Sequence, residues 1–278
     1  MRKGLILLLI LVSLVAFMAL KVKTDQILRE KMPGSSILYI PSGKSLKYAT
    51  FGFSSLAADL IYLWAIQYYS DYTIPERYKH LDHVFSVIAE LDHRYLDPYQ
   101  IGALVAIYEA GDVEAAYEIL DRGLEKNPEQ WIFPFQAAHY AQMIAKDYKR
   151  AQEYYQKTMD IEGSPAIAKR LYANAAYELA DYETAWATWK DIYENTEDER
   201  IRRIASNHLY RVKAATDLKA LREAVEKYRS ASGRNPVELS QLVRSGLLPS
   251  LPQDLDGKDY LYDPQTGKVK VPTIPWKR

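Results

Sequence analysis

A six-residue pattern occurs three times in this chain, at a nearly fixed distance. The copies cover residues 111–116, 146–151 and 180–185, and each has Asp in second place and Ala in last place. The Asp residues follow one another after 35 and then 34 residues. A repeat of this length is typical of helix–turn–helix units, which must stack because one unit cannot bury its apolar face alone. The spacing therefore predicts a mainly α-helical array with a concave surface that binds another molecule.

The residues around the recurring Asp also align between the copies. The small residues expected where paired helices meet are Ala116, Ala151 and Ala185. The large side chains four residues later are Leu120, Tyr155 and Trp189. The expected inner residues of the first helices are Ala103, Ala138 and Tyr172. These positions resemble tetratricopeptide repeats, although the Trp, Leu and Gly typical of the first helix in that family are mostly missing.

The resemblance implies a right-handed solenoid of helix–turn–helix units over residues 53–198. It covers residues 97–198 well and residues 53–96 loosely. We expect units at 97–131, 132–165 and 166–198, preceded by a degenerate first repeat at 53–96, as is usual at the end of such an array.

In that family, recurring positions of each first helix line the concave groove. Carried over by register, the predicted partner-binding residues are Ile101, Val105, Tyr108, Glu109, Phe133, Gln136, Tyr140, Met143, Arg170, Asn174, Tyr177 and Glu178. Only Arg170 and Asn174 suit a partner with a terminal carboxylate. The remaining positions are mostly aromatic or apolar, which favours an apolar or amphipathic protein segment as the partner. The alternative is that this face packs against the chain's own N- or C-terminal helix.

The amino terminus has the composition of a membrane anchor. Residues 4–20 are apolar except for Ser13, and as a helix they would be about 26 Å long, close to the hydrocarbon thickness of a bilayer. We expect a transmembrane helix in residues 1–23 of a single-pass inner-membrane protein, with the bulk in the periplasm or outside the cell. The alternative is a cleaved signal peptide, but residues 16–20 lack a good small-residue cleavage site.

Two further segments precede the repeats. Residues 24–52 contain Pro-Gly-Ser-Ser and Pro-Ser-Gly sequences and are expected to be a linker. Residues 53–69 are apolar and aromatic, which predicts a buried helix that caps the array; a second membrane element is the alternative, although Asp59 argues against it. The next helix is expected to begin at Pro75, with one face formed by Tyr78, Leu81, Phe85 and Ile88.

The carboxy-terminal part, residues 199–278, has a different pattern. A long helix is expected from residue 199 to 230, and residues 260–269 predict a β-hairpin around an Asp-Pro-x-x-Gly turn. Residues 217–228, 233–236 and 242–254 resemble the periplasmic part of type II secretion pseudopilins and related pilin-like proteins. The chain departs from that family because repeats, rather than an apolar helix, precede the segment. The resemblance implies an extracytoplasmic location and a small docking domain; the alternative is a fold reused without its function.

Composition and motifs argue against several classes of function. The 36 basic and 36 acidic residues balance, so no electrostatic footprint for nucleic acid exists, and the absence of Cys excludes thiol chemistry. Residues 254–259 carry alternating Asp residues without a full calcium-loop pattern, so we expect a solvated turn. His80 and His83 lie one helical turn apart without a third ligand at a known spacing. With no catalytic motif in the sequence, we expect no catalytic residues, no metal and no cofactor.

Taken together, these patterns predict a membrane-anchored scaffold that binds protein partners at the cell envelope. A pilus or type II secretion apparatus is the client that the pilin-like tail suggests, by analogy of fold alone. Two alternatives remain open at this stage. One is a structural subunit of a surface filament, and the other is a metal-dependent enzyme that uses the His and Asp residues at 80–97 and carries the repeats as an accessory.

Overall fold

The computed structural model of the chain is mainly α-helical, with one short antiparallel hairpin near the carboxy terminus. It describes residues 2–25 and 40–273, with the side chains of the first helix described from Ile10 to Lys23. The described helices are α1 (Arg2–Asp25), α2 (Gly43–Ala49), α3 (Ser54–Ser70), α4 (Leu81–Leu91), α5 (Asp97–Val105), α6 (Val113–Lys126), α7 (Ile132–Tyr140), α8 (Tyr148–Met159), α9 (Ile167–Glu178), α10 (Tyr182–Asn195), α11 (Glu199–Ser232) and α12 (Ser240–Arg244). The strands are β1 (Leu261–Asp263) and β2 (Lys268–Lys270). The prediction of a mainly helical chain with a terminal hairpin is confirmed.

Helix α1 exposes every side chain that is described in it, from Ile10 to Lys23. Among the residues that the structure describes, no helix combines the length and the apolar character needed to cross a membrane.

The recurring hexapeptides form the turns that start helices α6, α8 and α10. The first residue of each copy has a left-handed backbone: Gly111 at φ 70°, Lys146 at φ 56° and Ala180 at φ 58°. The carboxylates of Asp112, Asp147 and Asp181 then accept hydrogen bonds of 3.0, 3.0 and 3.2 Å from the backbone N–H three residues later. This N-cap bond satisfies a donor that the helix itself leaves unpaired, which explains why Asp recurs.

A difference in the first helices explains why the spacing is 35 and then 34 residues. Helices α5 and α7 each continue into a π-helical turn, Ala106–Ala110 and Ala141–Ala145, whereas α9 does not. The N–H of Asp112 therefore bonds the carbonyl six residues earlier, but the N–H of Asp181 bonds the carbonyl only five residues earlier. The register carried into the third unit is wrong by one residue: Ala173 is fully buried, while Tyr172 is only half-buried.

Consecutive helices from α3 to α11 pack against one another along the chain. The three alanines after the caps and the large side chains four residues later are almost fully buried, as predicted: Ala116, Ala151, Ala185, Leu120, Tyr155 and Trp189. Alanine lets two helices approach closely, and the aromatic rings fill the remaining space. Gly123 serves the same purpose, because a Cβ atom there would lie 3.0 Å from the Phe133 ring.

The expected linker contains a helix that packs on the array. Ser42 caps α2, and the N–H of Lys44 donates a 2.9 Å hydrogen bond to the Glu90 carboxylate on α4. Gly43 permits this approach, since a Cβ atom there would lie 2.5 Å from the Cβ of Glu90. The prediction that residues 24–52 are only a linker is wrong for residues 43–49.

The expected helix start at Pro75 is also wrong, because α4 begins at Leu81. Residues 71–80 form turns, with Glu76 at φ 50°. Arg77 lies over the ring of Tyr72 at 4.2 Å and over that of Tyr78 at 4.6 Å. A left-handed residue cannot continue a right-handed helix, and the stacked guanidinium holds the turn in place.

Helix α3 is buried on one face only, so the prediction of a buried capping helix is half wrong. Its inner face places Ala58, Ala65, Tyr68 and Tyr69 in the core, whereas the opposite face is exposed although it is rich in leucine.

The tail packs around the carboxy-terminal half of α11. Gly233, in the left-handed conformation, ends this helix, and Tyr262 pairs with Val269 in the hairpin. A separate apolar cluster joins the parts of the tail: Leu221, Ala224, Val225, Leu242, Tyr260 and Val269. The predicted long helix and hairpin are confirmed.

Candidate functional site

A cleft of about 580 Å³ lies between α9, α10, α11 and the segment after β2. Its aromatic and apolar lining includes Tyr177, Tyr182, Leu218 and Val271. Helix α11, which packs on α10, contributes the greater part of the lining.

Charged side chains at the edge of this cleft are mostly cationic. Arg211, Lys219 and Arg222 stand against a single acid, Glu223. Arg211 is already engaged, since its guanidinium lies 4.2 Å from the centre of the Tyr177 ring and 3.6 Å from the Glu178 carboxylate. Within the described part of the chain, Lys219 and Arg222 form no ion pair. These two cations are therefore free to meet an acidic partner.

A smaller cavity of about 240 Å³ adjoins this cleft through the shared residue Arg211. Three of its lining residues belong to the predicted groove: Met143, Asn174 and Glu178. His208 closes one side and stacks on Trp189, with the ring centres 4.0 Å apart. Burial, and then the positive charges of Arg211 and Arg170, lower the pKa of His208 to about 4. The imidazole is therefore neutral at physiological pH.

The predicted groove residues fall into separate groups. Tyr177 lies in the large cleft and Met143, Asn174 and Glu178 in the small one, while half-buried Arg170 lies near His208. Ile101 and Val105 are also half-buried, further toward the amino-terminal end of the array. Asn174, Tyr177 and Glu178 of the third unit therefore line these clefts, although the register predicted for that unit is wrong by one residue.

Two predicted groove residues, Phe133 and Tyr140, belong to the core, so their assignment to an open groove is wrong. Phe133 is fully buried and meets the edge of the Tyr99 ring at 5.4 Å. The buried Tyr140 accepts a 2.7 Å hydrogen bond from Gln136, and its ring contacts that of Tyr108 at 6.0 Å. Tyr108 alone among these aromatic residues is well exposed.

Glu109, at the amino-terminal end of the groove, is engaged by the chain itself. Its carboxylate accepts a 3.1 Å hydrogen bond from the Tyr78 hydroxyl and lies 3.6 Å from the Arg77 guanidinium. These contacts come from the turn before α4 and not from an N- or C-terminal helix. Packing of the predicted groove against the long carboxy-terminal helix occurs instead at Tyr177 and Glu178, which contact Arg211.

The cations of α11 were missed by the sequence reasoning, although the repeat itself contained the signal. One further step of 34 residues leads from Asn174 to His208 and from Tyr177 to Arg211. Extending the period past the last hexapeptide would have placed both residues in the groove. The expectation of a mostly aromatic and apolar groove, with Arg170 as its basic residue, is incomplete at this end, where Arg211, Lys219 and Arg222 also line the cleft.

The turn at residues 254–259 is organised by Asp254 and is not simply solvated, as we expected. Oδ1 of the buried Asp254 carboxylate accepts hydrogen bonds of 2.9 and 2.8 Å from the N–H groups of Asp256 and Lys258, and Oδ2 accepts one of 2.7 Å from the Tyr210 hydroxyl. Burial opposes the charge, but the bonds from Lys258, Tyr210 and Asp256 outweigh it and lower the pKa of Asp254. This carboxylate is committed to holding the turn.

His80 and His83, which were considered as metal ligands but not expected to bind one, have other surroundings. Nε2 of His83 lies 2.8 Å from the carbonyl oxygen of Ile40, and His80 precedes α4 at its N-cap. In residues 2–25 and 40–273, no group of three or more His, Asp or Glu side chains is arranged to hold a metal ion.

No protein-family model matches this chain, and no curated protein matches it.

Proposed function

We propose that this chain is a membrane-anchored scaffold that captures a protein segment in the cleft beside α11. The observation that carries the proposal is the lining of that cleft: aromatic and apolar side chains at the base, with the unpaired cations Lys219 and Arg222 at the edge. Such a surface suits a partner segment that presents apolar side chains to the base and acidic side chains to the rim.

The repeat architecture supports this role. Asp-capped helix pairs that pack in sequence, in the manner of tetratricopeptide repeats, build a wide surface from short units. The proposed solenoid ends on α11, which supplies both the last groove residues and the tail. A partner in the cleft would therefore contact the array and the tail together.

The proposed anchor rests on the apolar run from Gly4 to Leu20, which lies within α1 and extends beyond the side chains that the structure describes. The two basic residues before this run favour an amino terminus in the cytoplasm and an exported body. The pilin-like tail points to the same side of the membrane by analogy of fold, and it makes an envelope machine of the pilus or type II secretion kind the proposed client.

In-cell photo-crosslinking tests the capture of a partner. A photoreactive residue is placed at Tyr177 or Lys219 in the cleft, or at the exposed Tyr193 on α10 as the control. We expect crosslinks to another protein from the two cleft positions and none from the control. Crosslinks from the cleft only to the chain itself would contradict capture of a separate partner.

Charge reversal then tests the proposed rim chemistry. Lys219→Glu combined with Arg222→Glu should abolish the partner crosslink from Tyr177 without lowering the melting temperature, because neither side chain is buried or ion-paired in the described structure. The matched control is Lys227→Glu, an exposed position on the same helix outside the cleft. Equal crosslinking in all three proteins would show that the cations play no part.

Protease accessibility tests the location. Protease added to spheroplasts should digest the repeat region, whereas the same treatment of intact cells should spare it. Protection of the repeats in spheroplasts would exclude the exported arrangement.

A further inference from the structure

We propose that the corner formed by α2 and α3 docks on the surface of a lipid bilayer. This corner surface consists of Tyr48, Phe51, Phe53, Leu56, Leu60 and Leu63. The proposal goes beyond the capture of a protein partner and rests on the proposed anchor only for bringing the corner surface close to a membrane.

The exposure of these side chains is the first observation. Phe51 is 90% exposed and Tyr48 is 87% exposed, and the four others are also more than half exposed. Leu56, Leu60 and Leu63 follow spacings of four and three, so they share one face of α3. Phe53 precedes them on the same face. Exposed apolar side chains that lie together in this way mark interaction sites.

The exposed side of helix α3 is mostly apolar. Its inner residues Ala58, Ala65 and Tyr69 are buried in the core, and the opposite face carries the leucine stripe of the corner surface. The exposed polar residues Asp59 and Gln67 lie beside this stripe. A stripe of exposed leucines with polar residues at its border is typical of a helix that lies at an interface.

The turn between α2 and α3 projects its aromatic side chains outward. Phe51 has a left-handed backbone at φ 48°, and Gly52 follows at φ 95°. For a bulky residue this conformation is unusual. The result is an aromatic tip formed by Phe51, Phe53 and Tyr48, and aromatic rings favour the interfacial layer of a bilayer.

The charges around the corner surface favour a bilayer over an apolar protein surface. Exposed Lys44 and Lys47 on α2 flank the aromatic tip, as cations do in interfacial helices that meet anionic headgroups. Of the nearby acids, Glu90 accepts a hydrogen bond from the backbone of Lys44, and Asp59 lies at the flank of the stripe. Asp59 lies three residues after Leu56 and four before Leu63, so it marks the border at which the stripe meets water.

The corner surface follows the proposed anchor closely in the chain, which favours a bilayer as the surface that covers it. Helix α1 ends at Asp25 and α2 begins at Gly43, so 17 residues separate them, a length that spans at most about 60 Å. The described side chains of α1, from Ile10 to Lys23, are all exposed, so none of them is buried against the corner surface. Once α1 is inserted, docking of the corner is an intramolecular step with an effective concentration of about millimolar.

Site-specific fluorescence in reconstituted vesicles tests the proposal with the full chain. The chain contains no Cys, so single substitutions Phe51→Cys and Leu60→Cys each carry one environment-sensitive dye. The control is Val237→Cys, an exposed apolar position in the tail. The proteins are reconstituted into vesicles of phosphatidylethanolamine and phosphatidylglycerol, with and without lipids that carry a spin label near the headgroup.

We expect the dye at positions 51 and 60 to shift its emission to shorter wavelengths and to lose intensity with spin-labelled lipid, while the dye at 237 does neither. A shift without lipid quenching would mean that a second copy or α1 covers the corner, and would overturn the proposal. Emission equal to that of the control would overturn it as well.

Vesicle flotation separates this proposal from the anchor. Flotation of the chain without lipid quenching at positions 51 and 60 would overturn corner docking and leave the anchor standing. A chain that fails to float with the vesicles would overturn both. The crosslinking result at the cleft is independent of either outcome.

Discussion

From α5 to α10 the helices meet through alanines and aromatic rings, whereas the tail is joined to α11 through buried carboxylates. In the array, Ala116, Ala151 and Ala185 are fully buried and no charged side chain lies beside them in the core. In the tail, the Tyr260 hydroxyl donates a 2.8 Å hydrogen bond to Asp217, and the Tyr210 hydroxyl donates one of 2.7 Å to Asp254. Shape therefore dominates the contacts of the array, whereas the tail adds hydrogen-bonded, buried carboxylates to the apolar cluster that joins it to α11.

Removing a large ring from the array should have the largest effect. Trp189→Ala empties a site that is almost fully enclosed and should cost about 3–5 kcal/mol of unfolding free energy. Chemical denaturation followed by circular dichroism measures it. Trp186→Ala, at a half-buried position on the same helix, should cost clearly less; equal losses would show that shape does not govern this region.

Acid should weaken the junction between array and tail through His208. Its pKa falls from 6.5 in the unfolded chain to about 4 in the fold, chiefly by burial. The neutral form is favoured, so the stabilisation is complete above pH 6.5 and is lost as the pH falls toward 4. Allowing for partial exposure, the loss should be on the order of 2 kcal/mol.

Denaturation midpoints between pH 7 and pH 4 measure this loss, and His208→Phe should flatten the profile over that range. His139→Phe, on α7, is the control and should leave the slope unchanged. A profile that is the same in the wild type and in His208→Phe would show that His208 does not carry the acid sensitivity.

The Tyr260 hydroxyl should contribute to the stability with which the tail is attached to α11. Tyr260→Phe leaves the buried carboxylate of Asp217 with one fewer donor, although Lys213 still contacts it at 2.6 Å. A lost hydrogen bond to a charged group should cost about 1.5–3 kcal/mol. We expect faster amide hydrogen exchange in β1 and β2 with unchanged exchange in α5 to α8.

Tyr228→Phe is the matched control for that experiment. Tyr228 packs against the same apolar cluster, and its hydroxyl has no hydrogen bond within the described part of the chain. If both variants exchange alike, the Tyr260 bond does not fasten the tail.

The recurring cap should have the smallest effect. Asp147→Ala removes the 3.0 Å bond to the N–H of Arg150 and should cost about 1 kcal/mol, within the range of other N-cap substitutions. Asp160→Ala, just after α8, is the control because it does not cap the start of a helix. Thermal melts measure the loss of stability in both variants. A larger loss for Asp147→Ala than for Trp189→Ala would show that the cap contributes more to the stability of the array than the enclosed ring.

The helices of the array were predicted well from the sequence. The same residue pattern occurs three times, so a departure in one copy does not hide it. The hexapeptides placed three helix starts and the buried residues Ala151, Tyr155 and Trp189 correctly. The π-helical turns after α5 and α7 have no signature in the pattern, so the third-unit register was wrong by one residue. Helix α2 was missed because it depends on a contact with a distant residue, Glu90. The left-handed backbone at Glu76 was missed because nothing in the apolar pattern after Pro75 marks it.

The candidate site was predictable only in part. Tyr177, Met143 and Asn174 were placed at the clefts by the repeat, but Phe133 and Tyr140 were assigned to the surface although neighbouring helices cover them. The cations Lys219 and Arg222 were missed because the pilin-like resemblance drew the boundary of the array before α11. Helix α11 in fact belongs to both regions.

The length of α11 has a mechanical consequence. This one uninterrupted helix of 34 residues is about 51 Å long, and it carries the last groove residues at one end and the tail at the other. A force applied to the tail would therefore be transmitted along α11 to Tyr177 and Trp189, because the helix has no break at which it could bend. If a moving envelope machine binds the tail, the force that it applies would reach the cleft directly. The affinity of the cleft for a bound segment would then vary with that force.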